Sequence, residues 1–404
     1  MPVAIVNGKI LTITRGTVEA GTVLIDKGKI TAVDRDLAVP DGARVIDATG
    51  RWVTPGLIDA HCHICVFGEP WVWAHDDGNE MTNPLTPQVR GIDSLNPDDP
   101  SVPDVVAAGV TTVFTGPGSG NVIGGTGVAI KLRGRTVEEM VIPGTEAMKM
   151  ALGENPKKVF GDQKKMPSTR MGNAAVLREA LVSAANYLEK FSQAEEEAEE
   201  KKEGSRRPKY PERDLRWEAL ARVLRREMKA RIHAHRADDI MTAVRIAEEF
   251  GLDLVIEHAT EGYRVAEQLA ARGVPCTVGP LHMARFKMEL EKFTLENPGI
   301  LARAGVKVAI QVDESSNTRW LPVHCGMAVR HGMPEEDAFR AVTINAAEIL
   351  GLGHRLGSLE AGKDADIAIW DGHPFATYTR CRTVIVDGEV LFDSDAGIRP
   401  RDPR

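Results

Sequence analysis

The sequence predicts an α/β protein: a (β/α)8 (TIM) barrel carrying a small β-sandwich built from both chain ends. Three observations predict it. Between Trp52 and Leu352, short apolar runs ending in polar residues alternate with helical stretches, the pattern of parallel β/α units. The alternation lasts about 300 residues, which suits a closed barrel better than an open sheet. The doubly wound alternative is weakened because no Gly-rich phosphate fingerprint follows a strand. Finally, the two ends share another texture, short β-branched runs separated by tight turns.

Taken in order, Ala4–Val6, Val23–Ile25 and Ile30–Val33 are strand-like, with Asn7-Gly8 and Lys27-Gly28 as hairpin turns. Ala365–Trp370 and Thr383–Val386 repeat this near the C-terminus, with turns at Asp371-Gly372 and Asp387-Gly388. Residues 1–53 and 355–404 are therefore expected to form one composite β-sandwich; two separate β appendages are the alternative. Residues 54–354 are expected to form the barrel. Its clearest strand signals are Val53–Ala60, Gly109–Thr115, Arg231–His235, Leu252–His258, Val274–Gly279 and Val306–Val312. Its clearest helix signals are Ala221–Lys229, Asp239–Phe250, Gly262–Arg272 and Glu335–Ile349. The segment 189–213, almost purely charged from Glu195 to Glu203, suggests a solvated helical insertion and linker, with a lid or oligomer arm as the alternative.

A chain of 404 residues has room for one large barrel and a smaller module. Fifty Lys and Arg against 58 Asp and Glu give a net charge of −8, which argues against a general nucleic-acid binder. The five cysteines, Cys62, Cys65, Cys276, Cys325 and Cys381, are too sparse for a disulfide framework and fit a reducing compartment. The N-terminus lacks a basic stretch followed by a long apolar run, and no uncharged apolar run approaches the ~20 residues of a membrane span. The expectation is a cytoplasmic protein with a small-molecule substrate, no membrane or nucleic-acid partner, and homo-oligomerisation as the default.

The strongest chemical signal is Thr54-Pro55-Gly56-Leu57-Ile58-Asp59-Ala60-His61-Cys62-His63. Residues two apart on a strand face one way, so His61 and His63 point together and Cys62 points away. Two imidazoles on one face at a strand's C-terminal end can hold a divalent ion, and barrel enzymes place their chemistry at that end. An isolated His-x-His is more often a pair of satisfied histidines. Here His233 and His235 end another strand before a helix with Asp238 or Asp239 as its cap, His258 ends a third, and Asp313 ends the last. Histidines and a carboxylate at separate strand ends converge at a barrel mouth, where they can bind metal and move protons.

These residues resemble the amidohydrolase superfamily, nearest its imidazolonepropionase-like and prolidase-like branches. The resemblance spans nearly the whole chain, including Gly357–Asp366 near the C-terminus, but finds no counterpart for the 189–213 insertion. It implies a metal-dependent hydrolase of an amide, cyclic amide or dipeptide C–N bond. His61, His63, His233 and His258 are its implied metal ligands. Asp313 is the implied general base and a further ligand. His258 and His235 are the implied groups acting on substrate, and His233 and His235 are interchangeable as ligand. A two-metal site would add a carboxylated lysine from strand four: Lys149, or alternatively Lys131 in a segment resembling strand three. The implied cofactor is one or two divalent ions, zinc first, with iron or manganese as alternatives. Arg236, Arg170 and Arg133 are candidate carboxylate clamps, and Trp73 is a candidate pocket wall, since it lies on the loop that follows the His61/His63 pair. Deamination and ester or lactone opening are alternatives on the same site. A deaminase pocket is disfavoured, because Arg236 stands where a carboxylate would be expected. A scaffold without catalysis would have lost ligands.

Overall fold

The computed structural model describes residues 1–199 and 210–400. Its barrel sheet runs in chain order through eight strands: Leu57–Cys62, Val110–Thr115, Ile123–Lys131, Ala147–Ala151, Lys229–Ala234, Leu254–His258, Cys276–Val278 and Val308–Ile310. They are numbered one to eight below. Parallel ladders join strands one and two and then strands four to eight in succession.

Strand three departs from the expected all-parallel order, since it pairs antiparallel with both neighbours. The linker explains this. Only Gly116–Val122 separates strands two and three, and a parallel crossover needs a dozen or more residues. A short glycine-rich connection can only make a hairpin.

The seam between strands eight and one has no regular ladder. Backbone bonds from Asp313 N to His61 O (3.3 Å) and from His63 N to Glu314 O (3.4 Å) bridge it. Buried Asp59 ties it further: one carboxylate oxygen accepts the His61 N–H (3.0 Å) and the other the Val312 N–H (3.1 Å).

Ile58, Ala60, Phe114, Ala129, Ala147, Val255 and Ala309 form one buried cluster. They come from many different strands, which only the inside of a barrel allows. Val113, Ile130, Met148, Ile232 and Ile310 pack outward against the helices. Alternation from Ile58 and Ala60 would turn His61 outward. The ladder shifts register between Asp59 and Cys62, and the phase change brings His61 to the axis.

The second sheet orders Glu389–Asp393, Cys381–Val386, Ile367–Trp370, Trp52–Pro55, Val3–Leu11, Thr17–Asp26 and Lys29–Asp34, with Arg44–Asp47 paired to Val3–Leu11. Strands from both ends thus share one sheet. Its core includes Ile5, Ile10, Val23, Ile30, Val53, Ile367 and Ile385.

Several local expectations change. Lys27-Gly28 and Asp387-Gly388 are tight turns with both residues at positive φ. Asn7-Gly8 instead lies within strand Val3–Leu11, where the register shifts. Asp371-Gly372 opens a longer loop that returns through the Asp371 N to Arg380 O bond. The run Val53–Ala60 divides at Gly56 between the two sheets. Glu335–Ile349 is two helices, Glu335–Ala341 and Ile344–Ile349. The helix expected over Ala221–Lys229 is Leu215–Leu224, and Lys229 begins strand five. The charged segment begins as the end of a long helix, Arg170–Glu199; its residues 200–209 lie outside the described residues. No helix among the described residues is long and apolar enough to cross a membrane.

Candidate active site at the barrel mouth

His61, His63, His233, His235, His258 and Asp313 meet at the C-terminal ends of strands one, five, six and eight. The centre is Asp313 Oδ1, which lies 3.0 Å from His61 Nε2, 3.3 Å from His63 Nε2 and 3.7 Å from His258 Nε2. His233, His235 and His258 form an adjoining trio, with ring centroids 4.3 to 4.6 Å apart. All five imidazoles are buried.

The rings are aimed by what their other nitrogens do. His63 Nδ1 donates to Gly116 O and His258 Nδ1 to Gly279 O, each at 2.9 Å. Gly279 is required there: at φ 147 a Cβ would stand 2.1 Å from Gln311 O. These bonds leave the Nε2 atoms of His63 and His258 facing a carboxylate oxygen. Burial pushes the His258 pKa down to about 3, so its ring stays neutral. Burial, and then the neighbouring imidazoles, hold His233 far below the usual histidine range. Burial does the same to His235, with His258 adding to it.

Burial alone would raise the Asp313 pKa, but His258, His61 and His63 together hold it well below the carboxylate range. Three imidazole Nε2 atoms gathered around one carboxylate oxygen could hold a cation. His233 Nδ1 and His235 Nε2 are also buried without a hydrogen-bond partner among the described residues, a costly state for polar atoms unless something binds them. Two overlapping groups, His61/His258/Asp313 and His233/His235/His258, each bring their donor atoms within 4.8 Å of one another. The donor set, imidazole nitrogens with a carboxylate, is that of a divalent transition-metal site.

Behind the cluster stands a charged network that sequence reasoning missed. Glu257, fully buried on strand six, receives Arg231 Nε at 2.7 Å, pairs with Lys149 and lies 2.9 Å from His61 Nδ1. Burial raises the Glu257 pKa, but these three neighbours outweigh it and hold it well below its usual range. A carboxylate against a ligand's second nitrogen fixes that ring's orientation. The available signal was a charge inside an apolar strand: Asp59 and Arg231 each stand two residues before a histidine, and Glu257 directly precedes His258.

Lys149 Nζ, on strand four, lies 3.3 Å from His61 Nε2. Lys131 is a correction. It sits at the far end of the barrel, where its ammonium serves Asp364 (2.9 Å), Asp366 (3.1 Å) and Asp387 at the junction with the second sheet. The antiparallel course of strand three is the reason, because its C-terminal end lies at the barrel's bottom.

The candidate substrate contacts are also corrected. Arg133 pairs with Asp387 at that same junction. Arg170 is occupied by Asp239 (2.9 Å) and Glu289 (3.0 Å). Arg236 pairs with its neighbour Asp238 (2.9 Å) at the surface and is itself the helix N-cap, so neither Asp238 nor Asp239 caps that helix. Trp73 is 91% exposed on a short 3-10 turn and walls nothing by itself. Two hollows, about 680 Å³ beside Glu69 and Trp71 and about 450 Å³ beside Trp320 and His324, meet at Glu314, next to Asp313.

A family model described as the amidohydrolase family matches residues 52–391. The chain is 32% identical over 393 residues to the amidohydrolase TasK of Hapsidospora irregularis, covering 92% of this chain but only 40% of that longer protein. It is 26% identical to an imidazolonepropionase of Mesorhizobium japonicum, covering 88% of this chain and 87% of the relative. Among solved structures, an amidohydrolase from Thermotoga maritima superposes with a TM-score of 0.90 at 42% identity, over 97% of this chain and all of the other. A prolidase crystallised with N-methylphosphonate-L-proline superposes with a TM-score of 0.59 at 19% identity, over 97% of this chain and 100% of that one, a likeness of fold alone.

Proposed function

We propose that this chain, which belongs to the amidohydrolase family and is thereby an enzyme acting on carbon–nitrogen bonds of small molecules, is a metal-dependent hydrolase of an amide, cyclic amide or dipeptide bond. The observation that carries the metal reading is the convergence of His61, His63 and His258 Nε2 on a single Asp313 oxygen. His61, His63, His233, His258 and Asp313 would hold the ion, with zinc the first candidate and iron or manganese the others. When bound, the ion acidifies a water and polarises the scissile carbonyl.

The chain's own residues supply the remaining chemistry. Asp313 is ionised, half-buried and at the centre of the cluster, so it takes the proton of the attacking water and passes it to the leaving amine. Glu257 and the carbonyls of Gly116 and Gly279 hold the imidazoles in place, so little reorganisation is needed during reaction. His235, whose Nδ1 meets Thr260 Oγ1 at 2.7 Å, presents its free Nε2 to the substrate carbonyl. Lys149, whose Nζ lies 3.3 Å from His61 Nε2, would help to hold a second ion if its amine were carboxylated.

The test is elemental analysis of the purified protein combined with a C–N hydrolysis panel. The expected result is at least one divalent ion per chain and hydrolysis that a chelator abolishes and the ion restores. Ion-free protein, or hydrolysis indifferent to chelation, would overturn the reading.

A further inference from the structure

Lys287, on the loop between strands seven and eight, is the residue at this mouth that neither motif nor spacing marks. Its side chain is only 12% exposed, and lysines rarely bury without a strong partner. Burial pushes its pKa down. Among the described residues its ammonium makes one hydrogen bond, to Asn155 Oδ1 at 3.0 Å, and one long ion pair, with Glu289 Oε2 at 3.7 Å. The other Glu289 oxygen, Oε1, accepts from Arg170 (3.0 Å) and from the Glu154 backbone N–H (2.6 Å), while Oε2 is buried with no hydrogen-bond partner among the described residues.

Asn155 fixes where that ammonium stands. Its Nδ2 donates to Ser119 Oγ (2.8 Å), which turns Oδ1 toward Lys287, and the same Nδ2 lies 3.4 Å from His233 Nε2. Lys287 is therefore one asparagine side chain from the trio His233, His235 and His258. Its charge is also among the influences that keep all three rings neutral. A buried cation held by one hydrogen bond and one long ion pair, beside the catalytic cluster, keeps donor capacity for a further anion.

We propose that Lys287, positioned by Asn155, is the specificity residue that docks a carboxylate of the substrate, so that this enzyme takes amides bearing an anionic group close to the scissile bond. The inference rests on the hydrolase reading of the same site. The ammonium has three protons, and a bound carboxylate would take those that Asn155 leaves free. A charge-assisted hydrogen bond formed there gives about 10- to 100-fold in kcat/KM over an uncharged counterpart.

The experiment uses ion-loaded full-length enzyme and a panel of N-acyl-L-amino acids, dipeptides and lactam carboxylates, each beside its neutral carboxamide. The wild type should favour the carboxylate member of a pair by about 10- to 100-fold. Lys287→Met should abolish that preference, mainly by raising KM for the carboxylate member of each pair, and Lys287→Arg should restore it. Lys287→Glu should reverse it toward cationic amides. If carboxylate and carboxamide are hydrolysed alike, or Lys287→Met slows both equally, the docking role is overturned and the hydrolase reading stands. If the ion-loaded wild type hydrolyses no member of the panel, the hydrolase reading falls and takes the docking role with it.

Discussion

Replacing Asp313 by Asn tests the proton transfer most directly, and the backbone selects that substitution. Asp313 sits at φ 65, a left-handed conformation that Asn tolerates but that costs most other residues about 1–2 kcal/mol. An alanine variant would therefore mix backbone strain with lost chemistry. The amide keeps the shape of the carboxyl and can hold its oxygen at the same place, 3.0 and 3.3 Å from His61 and His63 Nε2, where it could still serve an ion. It cannot accept the water's proton. Loss of a positioned general base costs about 10²- to 10⁴-fold, or about 3–5 kcal/mol of transition-state stabilisation at roughly 1.4 kcal/mol per decade. The assay is kcat on the best substrate of the hydrolysis panel, with ion content measured on the same preparation. An Asn variant that keeps its ions and turns over within tenfold of the wild type would refute the shuttle. If ions and activity disappear together, Asp313 acts chiefly as a ligand.

Three further outcomes follow from the geometry. Lys131→Met should lower stability by about 3–5 kcal/mol in denaturant unfolding, as expected when one partner of a buried ion pair is removed, because Asp364, Asp366 and Asp387 lose their shared cation; ion content should not change, and a loss of ions would restore Lys131 to the active site. Asp59→Asn should cost about 1–3 kcal/mol, because the amide cannot accept from both the His61 and Val312 N–H groups; faster hydrogen exchange at the Val312 amide is the readout, and an unchanged rate would show that Asp59 does not hold the seam. Asp366 gives a pH signature: burial raises its pKa from 3.8 to about 6 despite Lys131, so the unfolded chain releases its proton first, and stability falls by roughly 3 kcal/mol as pH rises between those values and is level above them. Asp366→Asn removes that fall, so its stability relative to wild type should grow from pH 4 to pH 7; a constant difference would contradict the assignment.

Much of this molecule is legible in its sequence because strand-end chemistry is written locally. His61, His63, His233, His235, His258 and Asp313 each close an apolar run, and a barrel brings such ends together whatever the helices between them. What stayed hidden depends on direction and distance. Lys131 and Lys149 look equivalent along the chain, and only the hairpin forced by Gly116–Val122 sends one to the bottom of the barrel and the other to its mouth. Arg133, Arg170 and Arg236 were candidate clamps because arginine suits carboxylates. Each is claimed by a nearby carboxylate, Asp387, Asp239 or Asp238, and that pairing has no periodic signature. Lys287 sits on an irregular loop, where periodicity says nothing.

The cluster also breaks the alternation by which its strands were recognised. Glu257 and His258 are consecutive, yet both face the barrel axis: Glu257 meets Lys149, Arg231 and His61, and His258 meets Asp313. An extended strand cannot do this. It becomes possible because His258 and Ala259 take φ 69 and 43, conformations costing about 1–3 kcal/mol each outside glycine. Such strain persists only where the surroundings impose it, and here they do. Gly279 O holds the His258 ring (2.9 Å), Ala259 N donates to Ala234 O (3.1 Å), and Asn297 Nδ2 donates to Ala259 O (2.9 Å). Strand one reaches the same end differently, through the register shift that lets Ala60 and His61 both face inward. A regular strand offers the axis every second side chain. Placing an orienting carboxylate and a ligand in adjacent positions requires the regularity to fail where strand meets loop, and it fails at the residues proposed to hold the ion.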